Sequence, residues 1–188
     1  MVFLVVTLKY ESIMRSLNKQ GKKLAYLLRH DTRYAFDPHG WREVNDLVSN
    51  HGYTVEMLQE IVAVDTKQRY EFDQTGELIR ARQGHTIQVD VELDRLPPPD
   101  RLYHGTILQN VRLIAESGIK KMKRMYVHLS VNESVAKSVG ARYGDPVVLV
   151  IDSRRMADEG IVFYRSRNGV WLPDFVDKKY ILNINTCC

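Results

Sequence analysis

The chain has 188 residues, of which 44% are hydrophobic and 27% charged, with a net charge of +4. That is an ordinary globular composition, sufficient for one large or two small domains. No apolar run approaches the roughly 20 residues that span a bilayer, and no His, Cys, Asp and Glu fall at metal-ligand spacing, so no metal site is expected.

The two cysteines, Cys187 and Cys188, are adjacent. Neighbouring cysteines pair only with strained geometry. The sequence therefore predicts a reducing compartment, the cytoplasm, and no disulfide framework. Charge is uneven: residues 1–96 carry 13 cationic against 14 anionic side chains, and residues 97–188 carry 14 against 9. A basic excess of this size permits a polyanionic partner without establishing one.

At the start, Met1-Val2-Phe3-Leu4-Val5-Val6 lacks a basic leader and a cleavage site, and reads as a strand or a frayed end rather than a signal peptide. Ser16 is a plausible N-cap. Leu17, Leu24, Leu27 and Leu28 share one face of a helix ending near Arg29-His30, where cations suit the dipole. Val44, Leu47 and Val48 mark a short second helix. Thr54 caps a third, with Val55, Leu58, Ile61 and Val62 as its buried stripe. Arg69 to Phe72 and Leu78 to Ala81 flank Asp73-Gln74-Thr75-Gly76 as a hairpin. Three small helices and a β-wing make a winged-helix pattern. Pro97-Pro98-Pro99 stops both helix and central strand, so domains are placed at 1–96 and 97–188.

The second half mixes strands and helices. Leu102-Tyr103-His104 reads as a strand, and Ile107 to Ser117 as a helix stopped by Gly118. Tyr126 to Leu129 reads as a strand, followed by a helix capped by Ser130 or Asn132. Pro146 to Asp152 is a near-continuous apolar strand, central and buried. Ile161 to Tyr164 and Gly169 to Leu172 form a hairpin, and Lys179 to Leu182 is the last strand. The fold class expected is α+β.

Cationic and proton-carrying residues cluster at element edges: Arg29-His30, Arg69 and Arg124. Arg holds planar oxyanions through a rigid fork of donors, so this pattern suggests a phosphate pocket. In His104-Gly105-Thr106, glycine would let a ligand approach the backbone, and free N–H groups at the following helix start would suit an anion. His128 lies two residues before Ser130. His39 and His51, beside glycines, read as surface. Alternation places Arg80 and Arg82 on one face, either a solvated strand face or a basic rim for RNA phosphates.

Seven pieces, in order along the chain, carry a resemblance. They are Leu24-Ala25-Tyr26-Leu27-Leu28-Arg29-His30, Gly40-Trp41, Lys67-Gln68-Arg69-Tyr70, Ile79 through His85, Leu102-Tyr103-His104-Gly105-Thr106, Arg124 through Ser130, and Gly169-Val170-Trp171-Leu172. Through them the chain resembles the RNA 2′-phosphotransferases, the NAD-dependent enzymes of tRNA splicing. The resemblance implies a winged-helix RNA-binding lobe, an ADP-ribosyltransferase-like lobe that binds NAD as a consumed co-substrate, and an active site between them. It implies that an RNA 2′-phosphate attacks the nicotinamide ribose of NAD⁺, and that a second transfer releases ADP-ribose 1″,2″-cyclic phosphate.

The family's Arg-His-Arg-Arg set falls on Arg29, His30, Arg69 and Arg124, which are the expected catalytic residues. Its ADP-ribosyltransferase triad falls on His104, His128 and Val170. Gly105, Thr106, Ser130 and Tyr143 complete the expected cofactor site. Lys67, Arg80, Arg82 and His85 are the expected RNA contacts. The partners expected are NAD and a 2′-phosphorylated RNA, a tRNA, bound by a monomer without a membrane. The first dozen residues match nothing in the family, and Gly140 to Tyr143-Gly144 is short. Two other readings compete: an ADP-ribosyltransferase acting on nucleic-acid phosphate ends, and a winged-helix DNA-binding regulator.

Overall fold

The structure, a computed structural model, describes the backbone of residues 2–186 and the side chains of residues 15–185. Cys187 and Cys188 lie outside the described residues. The chain divides into one compact unit up to Val91 and another from Glu92.

The first unit opens with α1 (Val2–Arg29). Residues 2–6, expected as strand or frayed end, are helical, and Ser16 sits inside the helix rather than capping it. Once a helix is nucleated, each further residue adds a hydrogen bond, so a short β-favouring run can follow its neighbour. β1 (Arg42–Glu43), α2 (Val44–His51) and α3 (Val55–Val64) come next. Thr54 caps α3 by accepting the Met57 N–H at 3.2 Å. Leu58 and Ile61 are buried as predicted, but Val55 at the first turn is 41% exposed. β2 (Tyr70–Phe72) and β3 (Leu78–Ala81) form the expected hairpin, and β1 adds an unpredicted third strand in the order β1-β3-β2. Leu17, Leu24, Leu27 and Leu28 of α1 pack with Leu47, Leu58, Ile61, Tyr70 and Ile79 in one core.

The second unit contains β4 (Asp94–Arg95), β5 (Arg101–Ile107), α4 (Leu108–Ser117), β6 (Ile119–Lys120), α5 (Glu133–Gly140), β7 (Pro146–Asp152), α6 (Ser153–Asp158), β8 (Phe163–Arg165), β9 (Trp171–Pro173), β10 (Phe175–Val176) and β11 (Ile181–Thr186). The boundary falls before the proline run rather than at it, because β4 pairs with β8 of the second unit. β7 is central in the order β11-β7-β5, with Val147 to Ile151 buried. Asn132 caps α5 by accepting the Ser134 N–H at 2.9 Å. Tyr126 to Leu129 is not a strand: it meets neighbouring strands through the Val127 N–H on the Pro173 carbonyl and through single bridges, Leu129 to Trp171 and Ser130 to Tyr103. Lys179 belongs to a 3-10 turn, Lys178–Tyr180, and β11 begins after it.

Among the described residues, no helix is long and apolar enough to cross a membrane.

Candidate active site

The C-terminal end of α1 carries Arg29 and is followed by His30. The last carbonyls of any helix lack intrahelical donors and need partners from elsewhere. Here two distant segments supply them. Arg42 Nη1 donates to the Leu27 carbonyl at 2.9 Å, and the Thr86 N–H donates to the Arg29 carbonyl at 3.0 Å.

Arg42 is buried and holds several groups at once. It pairs with Asp31 at 3.1 Å and with Asp46 at 2.7 Å, donates to His51 Nε2 at 2.7 Å, and lies 4.2 Å from the Tyr34 ring centroid. Burial pushes the Asp31 carboxyl up, but hydrogen bonds from Arg33 and Arg42 outweigh it and leave it below its ordinary value. His51, expected at the surface, is half-buried on this network, and burial followed by the Arg42 charge holds its pKa down. The residue after the Arg29-His30 pair is thereby fixed in the interior.

The Gly84-His85-Thr86 segment closes over the pair from the other side. Gly84 has φ +90°, and a side chain there would meet the Arg29 guanidinium carbon at 3.4 Å. Glycine thus serves both the backbone turn and the close approach of the guanidinium. Thr86 Oγ1 lies 3.0 Å from His30 Nδ1. His85 is 2% exposed, and its Nε2 has no hydrogen-bond partner among the described residues. Burial, then the charges of Arg29, His30 and Arg80, lower its pKa to about 3. His85 was expected as an RNA contact; it is instead an interior ring held neutral near pH 7.

Arg69 sits in the loop between α3 and β2, half-exposed. Asp65, the C-cap residue of α3, holds it tightly. The Arg69 N–H, Nε and Nη2 reach the carboxylate at 2.6, 3.0 and 2.9 Å. Burial raises the Asp65 pKa, yet the Arg69 bonds lower it overall. The Arg69 guanidinium lies 5.3 Å from the Tyr70 ring centroid. Burial raises the Tyr70 pKa against the opposing charges of Arg69 and Arg29. Lys67 is exposed, with its backbone N–H on Asp65 at 3.3 Å.

Arg80 does not form a basic rim. It is 1% exposed and donates to Glu71 at 2.7 Å and to the His39 carbonyl at 3.2 Å, with Trp41 stacked at 4.3 Å. Cross-strand register places Arg80 opposite Glu71. Arg82 shares the same carboxylate at 3.2 Å, and so lies on the same face as expected. The carboxylate that neutralises this face is Glu71.

In the second unit, His104 Nδ1 lies 3.1 Å from the His128 carbonyl, and His128 Nδ1 lies 3.1 Å from the Tyr126 carbonyl. A carbonyl only accepts, so each neutral ring carries its proton on Nδ1 and its lone pair on Nε2. Burial, and then the charge of Arg124, lower the His104 pKa. Arg124 itself is exposed, in a turn closed by its N–H on the Lys121 carbonyl. Ser130 exchanges two backbone bonds with Tyr103, at 2.8 and 2.9 Å. Val170 precedes Trp171, whose backbone bonds Leu129. The structure thus gathers His104, His128, Ser130 and Val170 around one extended segment.

Gly105 has a reason other than the expected ligand approach. A side chain on it would collide with the Ala136 carbonyl, and one on Gly140 would collide with the Thr106 carbonyl. The two glycines let α5 lie directly on β5. Thr106 is buried and accepts from Asn110 at 3.3 Å. Tyr143 stands 69% exposed in the turn after α5.

Sequence reasoning missed Asp65, Thr86 and the Asp31–Arg42 pair. Asp65 was within reach, since a carboxylate four residues before Arg69 at a helix end is a recognisable pairing. The Thr86 contacts depend on a fold-back of 56 residues that spacing does not show.

By fold and site, this is an α+β protein whose first unit closes on an arginine–histidine cluster. The chain belongs to the RNA 2′-phosphotransferase, Tpt1 / KptA family, whose model matches residues 15–174. It is 43% identical over 176 residues to a protein of Nostoc punctiforme described as a probable RNA 2′-phosphotransferase, covering 89% of this chain and 97% of that one. Proteins of the same description from Acaryochloris marina and Fusobacterium nucleatum are 36% and 40% identical, over 90% and 87% of this chain and 98% and 96% of theirs.

Proposed function

We propose that this protein is an NAD-dependent RNA 2′-phosphotransferase acting on tRNA. Family membership and the closure of residues 84–86 on Arg29 and His30 support the reading. In it, the first unit serves as a winged-helix-like RNA-binding lobe and the second as an ADP-ribosyltransferase-like lobe.

A phosphate monoester is already anionic near neutral pH, with a second pKa of about 6. It needs positioning more than deprotonation. Arg29 and Arg69 hold its oxygens, because guanidinium stays charged and binds them in pairs. Asp65 keeps Arg69 in one orientation while leaving it half-exposed. His30 moves a proton in the second step. Arg124 contacts phosphate or ribose in that step, where donors aimed at developing charge contribute about 3–4 kcal/mol each. Lys67 and Arg82 contact the RNA backbone.

The residues of the second unit fit NAD⁺. His104 and His128 are held with Nε2 as an acceptor. The Trp171 indole N–H is buried without an acceptor among the described residues. His104, Gly105, Thr106, His128 and Ser130 would hold the dinucleotide, with Val170 and Tyr143 at its nicotinamide end. When bound, NAD⁺ supplies an anomeric carbon that accepts the 2′-phosphate as nicotinamide leaves, and a ribose hydroxyl that then displaces the RNA.

The test is product analysis with NAD⁺ and an oligonucleotide carrying one internal 2′-phosphate. The expected products are nicotinamide, ADP-ribose 1″,2″-cyclic phosphate and the 2′-hydroxyl oligonucleotide. Stable ADP-ribosylated RNA would show an ADP-ribosyltransferase instead, and no nicotinamide release would refute the reading.

A further inference from the structure

We propose that Thr86 is a positioning residue that sets the tautomer of His30, with the ring proton on Nδ1 and the lone pair on Nε2. The Thr86 hydroxyl faces two groups. Its oxygen lies 3.4 Å from the Arg29 carbonyl and 3.0 Å from His30 Nδ1. A hydroxyl has one proton to give, and a carbonyl has none. With the threonine proton directed to the Arg29 carbonyl, the contact with His30 uses the proton of Nδ1. The Thr86 backbone N–H also ties to the Arg29 carbonyl at 3.0 Å, which fixes the hydroxyl relative to the helix end.

The chemical consequence follows from the ring. With Nδ1–H engaged, Nε2 is the atom that takes up and returns a proton. The other tautomer would present an N–H there instead, and the ring could not act as a base at that edge. Thr86 is itself exposed and lies outside the core, so its replacement leaves the packing of α1 in place. The arrangement is the one that His104 and His128 reach with backbone carbonyls. At His30 a side chain does it, so substitution can remove it.

The kinetic consequence rests on the proposed role of His30, but the tautomer does not. Nitrogen-15 NMR of histidine-labelled protein, at a pH where the ring is neutral, reports which nitrogen carries the proton. The His30 signals are assigned by their loss in His30→Gln. The expected wild-type result is Nδ1–H, retained in Thr86→Ser and lost or mixed in Thr86→Val. A wild-type ring protonated on Nε2, or a Thr86→Val ring still fully Nδ1–H, overturns the proposal.

Turnover is measured alongside. Thr86→Val is expected to lower kcat by about 10²-fold with KM for RNA little changed, and Thr86→Ser to restore it. If the tautomer follows Thr86 while the wild-type protein shows no NAD-dependent dephosphorylation, the tautomer assignment stands and the functional reading fails. An unchanged kcat in a Thr86→Val protein of altered tautomer overturns the positioning role.

Discussion

Arg69 meets Asp65 through its backbone N–H and through two guanidinium nitrogens, and that geometry distinguishes Arg from Lys. A lysine would keep the charge and lose the fork. Arg69→Lys is therefore expected to fold normally and to lose about 10²–10³-fold in kcat, the loss seen when one aimed donor is removed. Steady-state kinetics with circular dichroism checks it, and activity within tenfold would mean that bidentate contact is unused. Arg80 belongs to another category. It is a buried cation on Glu71, and removing it leaves that carboxylate without the shorter of its two arginine bonds. Arg80→Ala is expected to destabilise the fold by about 1–3 kcal/mol, with no change in the salt slope of RNA binding at temperatures where it stays folded. A reduced salt slope with full stability would return Arg80 to the RNA surface.

Elements with one strong local signal were legible in the sequence. Thr54 announced α3, Asn132 was one of two candidate caps for α5, and the apolar run at 146–152 announced the central strand. What escaped were features made by partners far away. β1 is two residues long and exists because β3 offers it an edge. Tyr126 to Leu129 alternates like a strand, yet it meets its neighbours through isolated bonds and single bridges rather than a continuous ladder. Arg80 alternates with Arg82 as expected, but nothing local says that Glu71 and Trp41 bury it. Within the candidate site, Arg29, His30 and Arg69 were legible as cationic or proton-carrying residues at element ends. Their holders Thr86, Gly84 and Arg42 were not, because each acts across a loop of the fold. Gly105 belongs to the same lesson, since its partner is the carbonyl of Ala136 on α5. Gly105→Ala is expected to cost about 1–3 kcal/mol by overpacking, read as a lowered denaturant midpoint. A neutral result would mean that α5 shifts freely on β5.

At the scale of the whole molecule, folding lowers the pKa of three histidines, of which His85 is buried. The pKa of His85 falls from an ordinary 6.5 to about 3, and those of His51 and His104 are also lowered. Below pH 6.5 the unfolded chain binds protons that the folded chain refuses, so stability falls as pH falls, down to the folded-state pKa. His85 alone contributes a slope approaching about 1.4 kcal/mol per pH unit in that window. The paired carboxylates Asp31, Asp46 and Asp65 add their loss only below their ordinary range near 3.8. Urea unfolding at pH 7.5, 6 and 5 should show declining stability, and His85→Leu should flatten the decline. A flat wild-type curve across that range would mean these rings are not held neutral.

The proposed clamp on the 2′-phosphate is most directly tested by binding without NAD⁺. Two oligonucleotides differing only in one 2′-phosphate against a 2′-hydroxyl would be titrated into wild-type, Arg29→Ala and Arg69→Ala proteins. The wild type should prefer the phosphorylated strand, and each variant should lose most of that preference while still binding the unmodified strand. A preference that survives in both variants would contradict the assignment of these guanidiniums to the phosphate.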